Sequence, residues 1–268
     1  MQRPPCPALA PFVVALWHGE SRGAAQREHA LPSGAMHVVL RLSGPAVRVY
    51  TAGGGDDLGY TLIGGARSAY YVKDVSEASC SIGAVLQPGG SLALLGTPAS
   101  EFAETHTDLA DVWGREAEDL RWRIMEASAP VPRLRIFEAA LLARLRPVAI
   151  HPAVDGALET FRHSSDVAAA VAASGYSHRR FNQLFRAAVG LTPKIYCRVQ
   201  RFQRTLRAMG CGASWIDLAL DSGYSDQAHF CREFQAFAGV TPTEYARILP
   251  ADANHLPRSN SFNTRRGA

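Results

Sequence analysis

The chain has 268 residues, 47% of them hydrophobic and 19% charged, a length that suits two domains and a composition that suits globular ones. No run of about 18 apolar residues is present to cross a bilayer; the apolar stretch before Trp17 is interrupted by prolines and lacks a small-residue cleavage site, so no signal peptide is expected. The net charge of +4 is uneven: residues 1–154 hold 14 Lys and Arg against 15 Asp and Glu, whereas residues 155–268 hold 14 against 9, a weak pointer to an acidic partner for the C-terminal part.

In chain order, short runs rich in Val, Leu, Ile and Tyr come first, at Met36 to Leu42, Val47 to Thr51, Tyr60 to Ile63, Ala69 to Val72 and Ser81 to Leu86. Turn clusters such as Ser43-Gly44-Pro45 and Gly53-Gly54-Gly55-Asp56-Asp57 separate them, which predicts a small sheet or barrel. After Gly89-Gly90 the pattern turns helical, with helices expected over Leu109 to Trp113, Glu116 to Ala127 and Arg133 to Leu145. The last carries Leu134, Phe137, Leu141 and Leu145 on one side, to pack on the barrel or against a second chain. Pro147 to Gly156 reads as a linker, and the tail from Pro250 to Ala268 has too few apolar residues to fold alone and is expected to be mobile.

Between linker and tail the chain repeats itself. Ser174-Gly175-Tyr176-Ser177 recurs as Ser222-Gly223-Tyr224-Ser225; each copy is followed by F-x-x-x-F, at Phe181 and Phe185 and at Phe230 and Phe234, and then by Gly190 to Pro193 or Gly239 to Pro242. The second copy lies 48 residues on at the Gly-Tyr and 49 afterwards, so it holds one extra residue between serine and phenylalanine. Each copy predicts helix, glycine corner, helix: Val167, Ala170 and Val171, or Ile216, Ala219 and Leu220, lead into a glycine suited to a left-handed cap. Ser177 and Ser225 then stand where an N-cap belongs. With the phenylalanines inward, His178, Arg179, Asn182, Gln183 and Arg186 face out in the first copy and Asp226, Gln227, His229, Arg232 and Gln235 in the second. Arg can fork onto guanine and Asn or Gln onto adenine in a major groove, so these faces suit base reading. A long helix opened by Thr192-Pro193, with an apolar seam of Ile195, Val199, Phe202, Leu206 and Met209, separates the copies. Its other side carries Arg198, Arg201, Arg204 and Arg207, most of them expected to be solvated.

The stretch Ser165 to Ile248 resembles the DNA-binding domain of the AraC/XylS family of transcriptional regulators, on S-G-Y-S-D-Q-A-H-F-x-R-E-F-x-x-x-x-G-V-T-P-x-E-Y at Ser222 to Tyr245 and on the parallel pattern at Gly175 to Tyr196. The resemblance implies a seven-helix domain that lays two reading helices in successive major grooves. By position the readers would be Arg179, Asn182 and Gln183, and Gln227, His229 and Arg232, with Ser177, His178, Arg186 and Ser225 completing the expected DNA-binding set. Implied partners are double-stranded DNA, RNA polymerase, a small-molecule effector and a second copy in a homodimer; no membrane, cofactor or enzymatic activity is expected. Leu86 to Gly96, L-Q-P-G-G-S-L-A-L-L-G, and D-x-W-G at Asp111 to Gly114 are similar to a module found ahead of such domains, which in some members binds effectors in a cupin-like barrel.

The fold expected is α+β, a barrel-like strand and helix domain over 1–146, a linker over 147–156, an all-α double helix-turn-helix domain over 157–250 and a flexible tail over 251–268. His18, His29, His37 and His106 show no familiar ligand spacing, so no metal is assigned. The alternative function, a metal-dependent cupin-type enzyme fused to a DNA reader, would need a compact histidine and carboxylate set with an open position. Methyl-acceptor chemistry of the DNA-repair type is not visible, because none of the five cysteines, Cys6, Cys80, Cys197, Cys211 and Cys231, stands in a P-C-H-R motif; being odd in number and without a C-x-x-C pair, they fit a reducing cytoplasm.

Overall fold

A computed structural model describes residues 1–23, 25–51, 54–210, 224 and 226–258. Strand β4 (Met36–Ser43) shows why the N-terminal part is a sheet: Met36, Val38, Leu40 and Leu42 alternate inward while His37, Val39 and Arg41 point to the other face. It lies in a six-stranded antiparallel sheet ordered β1 (Gln2–Arg3), β2 (Val13–Arg22), β9 (Ala78–Leu86), β4, β7 (Thr61–Gly64), β10 (His106–Asp108). A second sheet is ordered β11 (His255–Arg258), β3 (Arg27–Ala30), β8 (Tyr71–Asp74), β5 (Arg48–Thr51), β6 (Gly54–Asp57). Among the described residues the two sheets do not close into one barrel.

Helices α1 (Gly90–Leu95), α2 (Ala110–Trp113), α3 (Glu116–Glu126) and α4 (Pro130–Arg144) follow, with a 3-10 turn at Ala99–Glu101 between the first two. Helix α4 packs Leu134, Phe137 and Leu141 onto β2 and α3 rather than offering them to a second chain. An Arg3–Glu138 ion pair of 2.8 Å ties β1 to the same helix.

The C-terminal part comprises α5 (Pro152–His163), α6 (Val167–Ser174), α7 (His178–Val189), α8 (Pro193–Gly210), α9 (Gln227–Ala238) and α10 (Pro242–Ile248). The stretch 147–156 is extended only as far as His151: that residue's Nδ1 accepts from Ala153 N at 3.2 Å and Pro152 occupies the first helical position, so α5 starts inside it. The tail is likewise partly ordered. Residues 255–258 form β11 on the free edge of β3, with Leu256 fully buried; one apolar side chain and a ladder of backbone bonds hold a segment whose composition reads as solvent-bound.

One continuous set of buried side chains runs through both parts, from Leu9 to Leu256. The join is also hydrogen-bonded: Gly89 N donates to Ala188 O at 2.9 Å, Gln203 Nε2 to Pro32 O at 2.8 Å, and His29 Nδ1 lies 2.9 Å from Ala238 O. Both repeat glycines meet one loop of the N-terminal part. A Cβ on Gly190 would stand 3.2 Å from Ala66 Cβ, and one on Gly239 would stand 2.5 Å from the Tyr70 ring. Each glycine also has positive φ, +92° and +72°, which favours glycine at both corners, and at Gly239 the close approach of Tyr70 leaves no room for a Cβ as well.

Candidate nucleic-acid interface

Helix α6 ends on Gly175, whose φ of 70° turns the chain, and Ser177 Oγ accepts from Arg180 N at 3.4 Å to start α7. Phe181 and Phe185 are fully buried, and Phe185 meets Phe161 and Tyr196 edge-on. That burial turns His178, Arg179, Gln183 and Arg186 out to solvent, with Asn182 half-buried beside them. Gln183 Oε1 accepts from Arg180 Nη1 at 2.9 Å, which links the two exposed side chains.

In the second unit the expected first helix, with Ile216, Ala219 and Leu220, lies outside the described residues, as does Ser225. The cap of α9 is not Ser225 but Asp226, whose Oδ1 accepts from His229 N at 2.7 Å. This corrects the sequence reading and accounts for the extra residue of the second copy. Counted from the cap, Phe181 and Phe230 stand at the same helical position. Phe230 and Phe234 are fully buried, while Gln227, Arg232 and Gln235 are exposed. His229 is only half-turned outward, its ring edge-on to Tyr224 and its Nε2 3.7 Å from Glu233 Oε2.

Helix α8 joins the units through Val199, Phe202, Leu206 and Met209, all buried. Arg198 and Arg201, expected on a solvated face, reach Glu233 of α9 at 2.9 and 2.7 Å, and that carboxylate is 3% exposed. Arg204 and Arg207 remain exposed. A cleft of about 480 Å³ lies between the units, lined by Ser165, Lys194, Arg198, Arg201, His229 and Glu233, with cationic groups in excess.

The four N-terminal histidines are dispersed. His29 stacks on Tyr70 at the join, and His37 and His106 flank Gly64. His18 meets Glu20 and Cys80, brought by neighbouring strands to within 4.8 Å of one another, a grouping that no sequence spacing announces. The donor set would suit a divalent ion, but the Arg133 guanidinium stands 3.3 Å from His18 Nε2 and 3.7 Å from Cys80 Sγ, a cation already placed on those atoms. Burial, and then Arg133, hold the His18 imidazole below its ordinary pKa.

A family model described as a helix-turn-helix domain matches residues 170–248, and one described as a domain of unknown function, DUF6597, matches residues 1–108. No curated protein matches the chain. Among solved structures the chain is similar to ToxT from Vibrio cholerae, 9% identical over 88% of this chain and 99% of that one, with a TM-score of 0.49. A ToxT structure with an unsaturated fatty acid bound is 10% identical over 86% and 94%, with a TM-score of 0.46. No helix among the described residues is long and apolar enough to cross a membrane. The chain carries an AraC-type helix-turn-helix domain over residues 170–248 behind a DUF6597 module over residues 1–108.

Proposed function

We propose that α7 and α9 enter successive major grooves on one face of a duplex, and that a small molecule held by the N-terminal module adjusts how well they do so. The observation that carries this reading is that two helices capped in the same register bury equivalent phenylalanines and expose Arg179, Gln183 and Arg186 on one and Gln227, Arg232 and Gln235 on the other. Arg179 and Arg232 supply the forks for guanine; Gln183 and Gln227 supply amides for adenine. Asn182 and His229, more enclosed, serve at the edge of each contact, and Ser177 and His178 lie at the start of α7, where phosphates approach amide ends; Ser225, outside the described residues, is proposed for the same role by its place in the repeat. Lys194 at the mouth of the cationic cleft is placed for a phosphate between the grooves. Helix α8, about 27 Å long at 1.5 Å per residue, keeps the separation fixed.

The route for a signal is short. Ala66 and Tyr70 of one N-terminal loop touch the glycine corners of both units, so a change in that loop reaches both readers at once. RNA polymerase, a second copy of the chain and a cytoplasmic setting complete the reading, in which the chain performs no catalysis.

The test is a gel-shift titration of the full chain against a pool of genomic fragments at two salt concentrations. Selective binding that weakens steeply with salt is expected, because phosphate contacts release counterions. Folded protein that binds no fragment, or binds all equally, would overturn the reading.

A further inference from the structure

His18, Glu20 and Cys80 occupy the end of an otherwise apolar surface. Glu20 and Cys80 are paired across β2 and β9, and His18, two residues back along β2, points to the same face. That face is the one that Leu16, Leu40, Ile82 and Ala84 turn towards the core, where α4 packs on β2. His18 and Cys80 are 4% and 8% exposed, so the chain buries an imidazole and a thiol where two aliphatic side chains would pack at less cost. Glu20 lies at the open end, exposed to solvent.

The electron pairs of the trio converge. Cys80 Sγ lies 3.2 Å from His18 Nε2, and with a Glu20 oxygen the three donors fall within 4.8 Å of one another. A cation is already drawn to that place, for Arg133 Nη1 stands 3.3 Å from His18 Nε2 and 3.7 Å from Cys80 Sγ. It is loosely seated. The first separation is beyond the range of about 2.7–3.2 Å in which N–H donors are normally held, and among the described residues no carboxylate lies within ion-pair distance of Arg133. The firm bond of this side chain is at its other nitrogen, where Nε donates to Ala127 O at 2.9 Å, at the end of α3. Turning Nη1 away from the trio leaves that bond in place.

We propose that His18, Glu20 and Cys80 bind a divalent transition-metal ion of the zinc class, which takes the place of the Arg133 guanidinium. Imidazole, thiolate and carboxylate are the donors zinc accepts, and the thiolate sets aside magnesium and calcium, which prefer oxygen. The two ligand charges balance those of the ion. Bonds of about 2.0–2.3 Å in a tetrahedral arrangement hold donors about 3.3–3.6 Å apart, so the trio closes on an ion by movements of about 1 Å, most of them at the exposed Glu20. The same exposed side gives the ion its way in. The exchange also replaces one cross-link by another: Arg133 ties the turn between α3 and α4 to β2, whereas the ion ties β2 to β9 and releases the turn.

The test titrates cobalt(II) and then zinc into the reduced, metal-free full chain. One equivalent of cobalt should produce the sulfur-to-metal charge-transfer absorption and visible bands of a tetrahedral thiolate site, and zinc should bleach them. Cys80→Ser should lose the charge-transfer band. His18→Gln and Glu20→Gln should each weaken zinc by about tenfold or more, and the second decides the matter if changes at the buried pair unfold the chain, because Glu20 is exposed. Arg133→Met keeps an apolar stem and removes the competing cation, so it should bind zinc more tightly than the parent, a gain that an adventitious surface site would not show. Hydrogen exchange over residues 127–133 should quicken when zinc is bound. Absence of a stoichiometric band, a band that survives Cys80→Ser and so belongs to another thiol, unchanged affinity in Glu20→Gln, no gain in Arg133→Met, or unchanged exchange at the turn would each overturn the proposal.

Discussion

Helix α7 places Leu184 where α9, at the equivalent position of the repeat, places Glu233. The leucine is half-buried against the shared core, while the glutamate is enclosed and spanned by Arg198 and Arg201 of α8. The first unit is therefore fastened by shape and the second by charge. Two copies of one pattern can share a fold and differ in how they fail. A misfitted apolar contact loosens gradually, but a buried carboxylate deprived of its partners leaves an uncompensated charge.

Glu233→Ala should give the largest effect, a loss of about 3 kcal/mol in a denaturant melt, because it removes the buried carboxylate that Arg201 and the more exposed Arg198 share. Leu184→Ala should cost only about 1–2 kcal/mol, since less of that side chain leaves water on folding. Equal losses would mean that charge is not what distinguishes the units.

The chain leaving the second unit is held by another charged group. Glu28 of β3 pairs with Lys73 at 2.8 Å and with His255 of β11. Burial raises its pKa, but the hydrogen bond from His255 and the charge of Lys73 outweigh that and bring it to about 2. A carboxylate depressed in the folded state contributes its full stability above about pH 4.5, and the contribution fades as pH falls towards 2. It is of the order of 3 kcal/mol. Melts at pH 6 and pH 3 should therefore show a drop in the parent chain that is smaller in Glu28→Gln, and hydrogen exchange should place the loss at β11 and β3. An equal acid response in both chains would show that the tether of the second unit is not electrostatic.

Arg179→Ala and Arg232→Ala compare the units as readers. Each should cost about 1–3 kcal/mol on a preferred site and much less on random duplex, seen in a competition assay with folding checked by melt. If both kept the parental ratio of specific to random binding, the faces assigned to α7 and α9 would be wrong. The smallest expected effect is at the caps: Ser177→Ala and Asp226→Ala should each lose about 1 kcal/mol in the same melts. A neutral Asp226→Ala would place the start of α9 elsewhere and remove the common register.

The repeat was legible because its signals are local. Glycine corners, cap residues and paired phenylalanines act within a few residues of themselves, and the helices from α2 to α4 and from α6 to α8 stand within a few residues of where periodicity puts them. Ser225 misled because serine and aspartate cap equally well and stand adjacent, so composition could not choose between them. Non-local pairing hid the rest. Strand β2 starts apolar and ends polar yet pairs with β9 along its whole length, β6 consists of Gly54-Gly55-Asp56-Asp57 and is a strand by virtue of β5 beside it, and β11 exists because β3 has a free edge. The same holds for the sites. Arg198 and Arg201 read as solvated until Glu233 arrives from 35 and 32 residues away, and Arg67 met His106 only when β10 paired with β7.

Strand β11 also has a consequence for how the protein is made. A ribosome delivers β3 early and the partner of its outer edge more than two hundred residues later. Throughout that interval the second sheet carries an open row of amides and carbonyls, the kind of edge on which nascent chains pair with one another. Helices α5 to α10 are complete before His255 emerges, so a chain cut short just after α10 would keep α7 and α9 and lose the cover of the second sheet. Such a product should bind DNA and aggregate, which makes the final described strand a checkpoint on whole-chain synthesis as much as a piece of the fold.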